Sequence, residues 1–165
     1  MKIGSYFVTP LCEGTILRDG GETFGIVPKS EWSRRMQPDA ANRVRLSLSH
    51  FLVQGHGKNI LIDTGIGDKL SAVDERALAL ERVARADDLF SHVGVTRHDI
   101  DFVICTHLHF GSAGGLTRMN AEGVLVPSYP KARVIVQEGE WERAVHANLR
   151  TRAFYRKEDF EPLLW

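Results

Sequence analysis

Apolar and polar positions alternate most regularly over residues 44–49, where Val44, Leu46 and Leu48 interleave with Arg45, Ser47 and Ser49. A period of two is that of a half-buried strand. Phe51, Leu52 and Val53 extend it, Gly55-His56-Gly57-Lys58-Asn59 reads as a turn, and Ile60-Leu61-Ile62 begins the returning strand. The pattern predicts a β-hairpin. Upstream, residues 3–9 and 15–18 read as a strand pair around a turn region at 10–14. Residues 20–38 hold Gly20, Gly21, Gly25, Pro28 and Pro38 and read as a long loop carrying Phe24 and Trp32.

The period then lengthens. Residues 74–86 are rich in Ala, Leu, Glu and Arg and predict a helix burying Leu78, Leu80 and Val83. Leu89, Phe90 and Val93 continue it to Gly94, a suitable C-terminal cap. Thr96 opens a short helical turn. Phe102-Val103-Ile104-Cys105 and Val134-Ile135-Val136 are short apolar runs of the kind that form buried strands. Residues 138–149 predict a last helix with Trp141 and Val145 on one face. Strands alternating with helices give an α/β (α+β) chain with a mixed sheet and flanking helices.

Composition narrows the function classes. The 165 residues suffice for one domain, and 43% hydrophobic with 25% charged residues is ordinary for a folded soluble chain. A formal net charge of +0 gives no electrostatic footprint for nucleic acid or an anionic membrane. Residues 1–12 hold no continuous apolar run and do not read as a secretory signal, so a cytoplasmic setting is expected. Cys12 and Cys105 form no C-x-x-C pair, which argues against a thiolate zinc site or a disulfide framework.

The candidate chemistry follows the apolar run at 102–105. In Thr106-His107-Leu108-His109-Phe110, an H-x-H spacing sends both imidazoles to one side of extended backbone. Neutral imidazole is a common ligand for zinc. A bare H-x-H also arises by chance as two histidines in a surface loop. Gly114 and Gly115 follow it, and Ile60-Leu61-Ile62-Asp63-Thr64-Gly65-Ile66-Gly67 upstream ends a strand in a carboxylate and a glycine-rich turn. Asp63 lies near the histidines if the two strands are neighbours, and otherwise is a turn-stabilising Asp.

These two segments, ILIDTGIGDK at 60–69 and VICTHLHFGSAGGLTR at 103–118, resemble the metallo-β-lactamase superfamily, and within it the lactonase-like hydrolases. Phe24 to Lys29, Trp32 and Asn42-Arg43 resemble the opening segment of that subgroup. The resemblance implies half of an αβ/βα sandwich, as a single incomplete domain over residues 1–165. It also implies zinc-dependent hydrolysis of a small-molecule ester or lactone. The family signature is H-x-H-x-D-H. His107 and His109 match its first two metal ligands, whereas Gly111 stands at its Asp and Ser112 at its second-metal His. Asp63 matches a supporting carboxylate that orients a ligand without binding metal. The family carries two zinc ions; the departures imply at most one here, weakly bound, and an impaired or absent activity.

His50, His56, His92, His98 and His146 read as structural or solvated. A lone sheet half would leave an apolar face uncovered, so a homodimer is expected. Three other readings stay open. The chain could be a non-catalytic truncated paralogue or a piece of an assembly. It could be a dimeric aspartic protease using Asp63-Thr64-Gly65, which would need a second carboxylate. It could be a binding module with a pocket of Trp32, Phe24 and Phe110.

Overall fold

A computed structural model describes residues 1–164. The hairpin is present. Strand β3 (Arg43–Gly55) turns at His56-Gly57 into β4 (Lys58–Ile62), and Phe51, Leu52 and Val53 pair with Ile62, Leu61 and Ile60. On its other edge β3 pairs along its length with β2 (Tyr6–Asp19). A two-residue strand, β1 (Lys2–Ile3), closes that edge.

Strand β2 corrects one expectation, because residues 10–14 continue the strand and do not turn. The local signal was a β-bulge between Cys12 and Gly14, with Gly14 at φ +148°. A side chain on Gly14 would collide with the carbonyl of Glu81, which pairs here as part of β5 (Glu81–Arg82). The same pairing divides the helix expected over residues 74–86. Helix α3 (Ala72–Ala77) stops before Ala79, which takes φ +46°, and a new helix α4 runs over Ala86–His92. Pairing with β2 thus overrides local helix propensity. The segment 20–38 holds two short helices, α1 (Gly20–Phe24) and α2 (Lys29–Trp32), instead of only a loop. Asp19 caps α1 by accepting the Glu22 N–H.

After α4, Thr96 caps the predicted short turn, accepting the His98 N–H while Asp99 accepts the Thr96 N–H. Strand β6 (Phe102–Ile104) adds parallel to β4, and β9 (Arg133–Ile135) parallel to β6. The main sheet is therefore mixed, in the order β1-β2-β3-β4-β6-β9, with β5 on β2. Between β6 and β9 lie helix α5 (Phe110–Ala113) and a separate hairpin, β7 (Thr117–Met119) with β8 (Leu125–Pro127). Helix α6 (Glu138–Val145) is four residues shorter than expected, and α7 (Lys157–Phe160) follows.

The core lies on one face of the sheet. Leu11, Leu52, Leu61 and Val103 pack against Phe90 of α4, Ala144 of α6 and Phe160 of α7. A second cluster, Ile16, Leu48, Ile66, Leu78 and Phe110, fills the end nearer the H-x-H segment. No helix among the described residues is long and apolar enough to cross a membrane. Cys12 is exposed, Cys105 is buried, and both are free thiols.

Candidate functional site

The site is built where β4 and β6 end. The backbone leaves β4 through Asp63, whose N–H bonds to Ile104 O at 2.9 Å and whose φ is +60°. Positive φ is uncommon outside glycine, and Asp is among the residues that tolerate it. This bend aims the Asp63 carboxylate across to the end of β6. There Oδ1 accepts the Thr106 N–H at 2.8 Å and Oδ2 accepts the Thr106 hydroxyl at 2.7 Å. The hydroxyl has one proton, and a carboxylate can only accept it. The Thr106 oxygen is left as an acceptor toward His107 Nδ1, 2.8 Å away. In the neutral ring Nδ1 of His107 therefore carries the proton, and Nε2 presents a lone pair.

Two glycine-rich segments interlock beside this chain of bonds. Thr64 N–H and Oγ1 both donate to Ser112 O, at 2.7 and 3.1 Å, and Gly115 N–H donates to Gly65 O at 3.2 Å. A Cβ at Gly114 would strike Ile66 O, and one at Gly115 would strike Thr64 O. Close backbone approach is what requires glycine at both positions.

Leu108 is buried between the two histidines, so His107 and His109 both turn to the cleft. Their rings sit 4.7 Å apart, centroid to centroid, edge to face. His109 is also held by Phe154, stacked at 4.8 Å, and by Tyr155 at 4.9 Å. Burial, helped by the neighbouring His107, pushes the His109 imidazole below its ordinary value. Behind the pair, the buried Glu140 of α6 accepts the Leu108 N–H at 2.9 Å and the Tyr155 hydroxyl at 3.1 Å.

His107, His109, Gly111 and Ser112 line one cleft of about 410 Å³. Its apolar wall is Ile16, Leu46, Leu48, Phe110 and Phe154. Arg18 crosses it, with its guanidinium 5.6 Å from the Phe110 ring and 5.5 Å from the Phe154 ring, and pairs with Glu22. A Cβ built at Gly111 meets only a Leu48 methyl, at 3.9 Å, so the space a side chain would take there is open.

The structure therefore brings together His107, His109, Gly111 and Ser112, with Asp63 one residue behind. Both Asp63 oxygens accept hydrogen bonds from Thr106. Trp32 is buried and stacks on Phe24 at 4.8 Å, away from the cleft, so only Phe110 of that trio lines it. Of the other histidines, His50 is buried, His56 bonds Ser5 at 2.7 Å and His92 Nδ1 lies 2.6 Å from Asp88 O. Sequence reasoning missed Thr106, Glu140, Phe154 and Tyr155. Only Thr106, between the apolar run and the histidines, carried a local signal.

The donor set does not fit a complete zinc centre. A catalytic zinc typically takes three protein ligands and keeps one position open. Among the described residues no group of three or more His, Cys, Asp or Glu side chains converges to hold a metal ion.

The family model of the metallo-beta-lactamase superfamily matches residues 45–158. A probable metal-dependent hydrolase from Staphylococcus aureus is 31% identical, with a TM-score of 0.87 over 96% of this chain and 56% of its own. AidC, a dizinc quorum-quenching lactonase, shares the fold at 20% identity and a TM-score of 0.66, over 91% of this chain and 48% of its own. A quorum-quenching N-acyl homoserine lactone lactonase does so at 22% identity and a TM-score of 0.65, over 98% and 56%. The chain thus spans about half the length of the solved structures it matches. No curated protein matches it.

Proposed function

Because this chain belongs to the metallo-beta-lactamase superfamily, we propose that it carries the imidazole half of a hydrolase site for small-molecule esters or lactones. The observation behind this reading is the convergence of His107 and His109 in one cleft, with His107 Nε2 left as a lone pair by Asp63 and Thr106. His107 and His109 are the donors toward zinc, and Asp63 orients the first of them through Thr106. The apolar wall and Arg18 contact the substrate. Gly111 and Ser112 supply no second-ion donor equal to a carboxylate and an imidazole, so the chain alone holds at most one zinc, weakly. Its activity is slow or nil.

The test is metal content after gel filtration together with hydrolysis of a lactone and an aryl ester. The expected result is one zinc or less per chain, with slow turnover that His107→Ala abolishes. Restoring donors with Gly111→Asp and Ser112→His together does not by itself rescue activity, since both positions serve the second ion and leave His107 and His109 as the first ion's two donors. Two tightly held ions per chain would overturn the metal assignment. Turnover indifferent to His107→Ala would overturn the site. A chain that neither binds zinc nor turns over is the non-catalytic reading.

A further inference from the structure

Glu13 sits where an apolar residue is expected. Along β2 the side chains of Leu11 and Ile16 enter the core on either side of it, and Glu13 is wholly buried with them. Its Oε2 accepts the Ile66 N–H at 2.7 Å. A Cβ at Gly65 would occupy the place of that same carboxylate, so the turn after β4 rests directly on it. Its other oxygen has no hydrogen-bond partner, and burial pushes the carboxyl above its ordinary range. A buried carboxyl held this way is unfavourable for stability. An aliphatic side chain would fill the core position better, so the carboxylate is there for what it holds.

What it holds leads to the site. The turn seated on Glu13 is residues 63–67, and Asp63 at its start fixes Thr106 and, through Thr106, the Nδ1 edge of His107. We infer that Glu13 is a positioning residue for His107: by seating the Gly65–Ile66 peptide it sets the direction of the Asp63 carboxylate, and with it the tautomer and orientation of the imidazole. The inference rests on reading His107 as a site residue. It concerns ring orientation in the metal-free chain, so it can fail while the hydrolase reading stands, and the reverse.

The experiment is a long-range ¹H–¹⁵N correlation of the imidazoles in the full chain, freed of metal by a chelator. It is run well above the ordinary imidazole value of about 6.5, where the rings are neutral. The His107 signal is assigned by its loss in His107→Gln. In the parent, His107 is expected as the Nδ1-protonated tautomer. Asp63→Asn gives the size of the effect when the relay is cut. Glu13→Gln keeps an oxygen for the Ile66 N–H and should keep the parent tautomer. Glu13→Leu should make that tautomer minor, as Asp63→Asn does, and the Glu13→Leu/Asp63→Asn double variant should add nothing further. Should Glu13→Leu fail to fold, Glu13→Asp, whose shorter carboxylate falls short of Ile66, is read in its place with the same expectation. A folded Glu13→Leu or Glu13→Asp protein whose melting temperature moves while the His107 tautomer does not would overturn the inference. So would loss of the tautomer in Glu13→Gln equal to that in Glu13→Leu.

Discussion

The two faces of the main sheet are built from the same kinds of residue and meet different fates. On one face Leu52, Leu61 and Val103 stand in register across β3, β4 and β6, each at 0% exposure. On the other, one residue along, Phe51, Ile62, Ile104 and Ile135 form an equally apolar row across β3, β4, β6 and β9. There Phe51 is 41%, Ile104 37% and Ile135 43% exposed. Strand side chains alternate between faces, so hydropathy along the chain cannot distinguish the two rows. What separates them is the set of helices α4, α6 and α7, which cover the first row alone. Apolar character reports where a residue can be buried; the connections decide where it is.

The sharpest way to break that comparison is to truncate one side chain on each face. Leu61→Ala removes a side chain enclosed on every side and should destabilise the fold by about 2–5 kcal/mol, read by urea denaturation. Ile104→Ala, on the neighbouring strand but the open face, should cost less, about 1–2 kcal/mol, because at 37% exposure part of its surface stays in water in the folded chain. Equal losses at the two positions would mean that the second row is covered after all.

How much was legible follows from the same distinction. The hairpin of β3 and β4 was readable because its signal is local: alternation, a His-Gly turn and a returning apolar run. The apolar run of β6 announced its strand for the same reason, and the H-x-H pair directly after it was placed at the strand end. Segments set by distant pairing were misread. Residues 10–14 look like a turn because of Pro10 and Gly14, yet Gly14 is there to admit the Glu81 carbonyl from 67 residues away. Residues 74–86 look like one helix because nothing nearby announces that β2 claims Glu81 and Arg82. Within the site, the histidines were singled out by their spacing and Asp63 by the resemblance of its segment, since its position alone left two readings open. Phe154, Tyr155 and Glu140 were not, since they reach His109 and Leu108 through tertiary packing alone. Glu13 carried none, because it lies in the segment that reads locally as a turn.

On the covered face, a second buried polar side chain besides Glu13 sharpens the comparison through pH. His50 lies between Leu48 and Leu52 on β3, is fully buried, and neither ring nitrogen has a partner. Burial, helped by the Arg97 charge, pushes its value down from 6.5 to about 4. Between these two values the unfolded chain binds the proton and the folded chain does not. The neutral ring's contribution is therefore complete above about pH 6.5, shrinks as pH falls, and is lost by about pH 4, a change of roughly 3 kcal/mol. Glu13 and Asp159, both raised by burial, act in the opposite direction, gaining stability as pH falls through their raised values. The informative quantity is thus the difference between parent and His50→Leu. That variant should lose the His50 component of the profile and be at least as stable at neutral pH, since it removes two unpartnered polar atoms. Parallel denaturation profiles for the two proteins across this window would show that His50 is hydrated in solution.

The open face bears less on folding free energy per side chain and more on assembly. Pro10, Phe51, Ile62, Ile104 and Ile135 stand in one row over five strands, with Val8, Val53, Ile60 and Phe102 beside them. A contiguous apolar surface of this kind favours association with another surface like it. Phe51→Ser with Ile104→Ser should lower the monomer's denaturation midpoint, each position by less than Leu61→Ala does, because both side chains stay partly in water. The same pair should lower concentration-dependent association in light scattering. Sedimentation showing a parent chain that stays monomeric at all concentrations would mean that the row tolerates water unaided. The half-exposed side chains would then be ordinary surface, and the contrast between the two faces would be one of packing only, with no consequence for assembly.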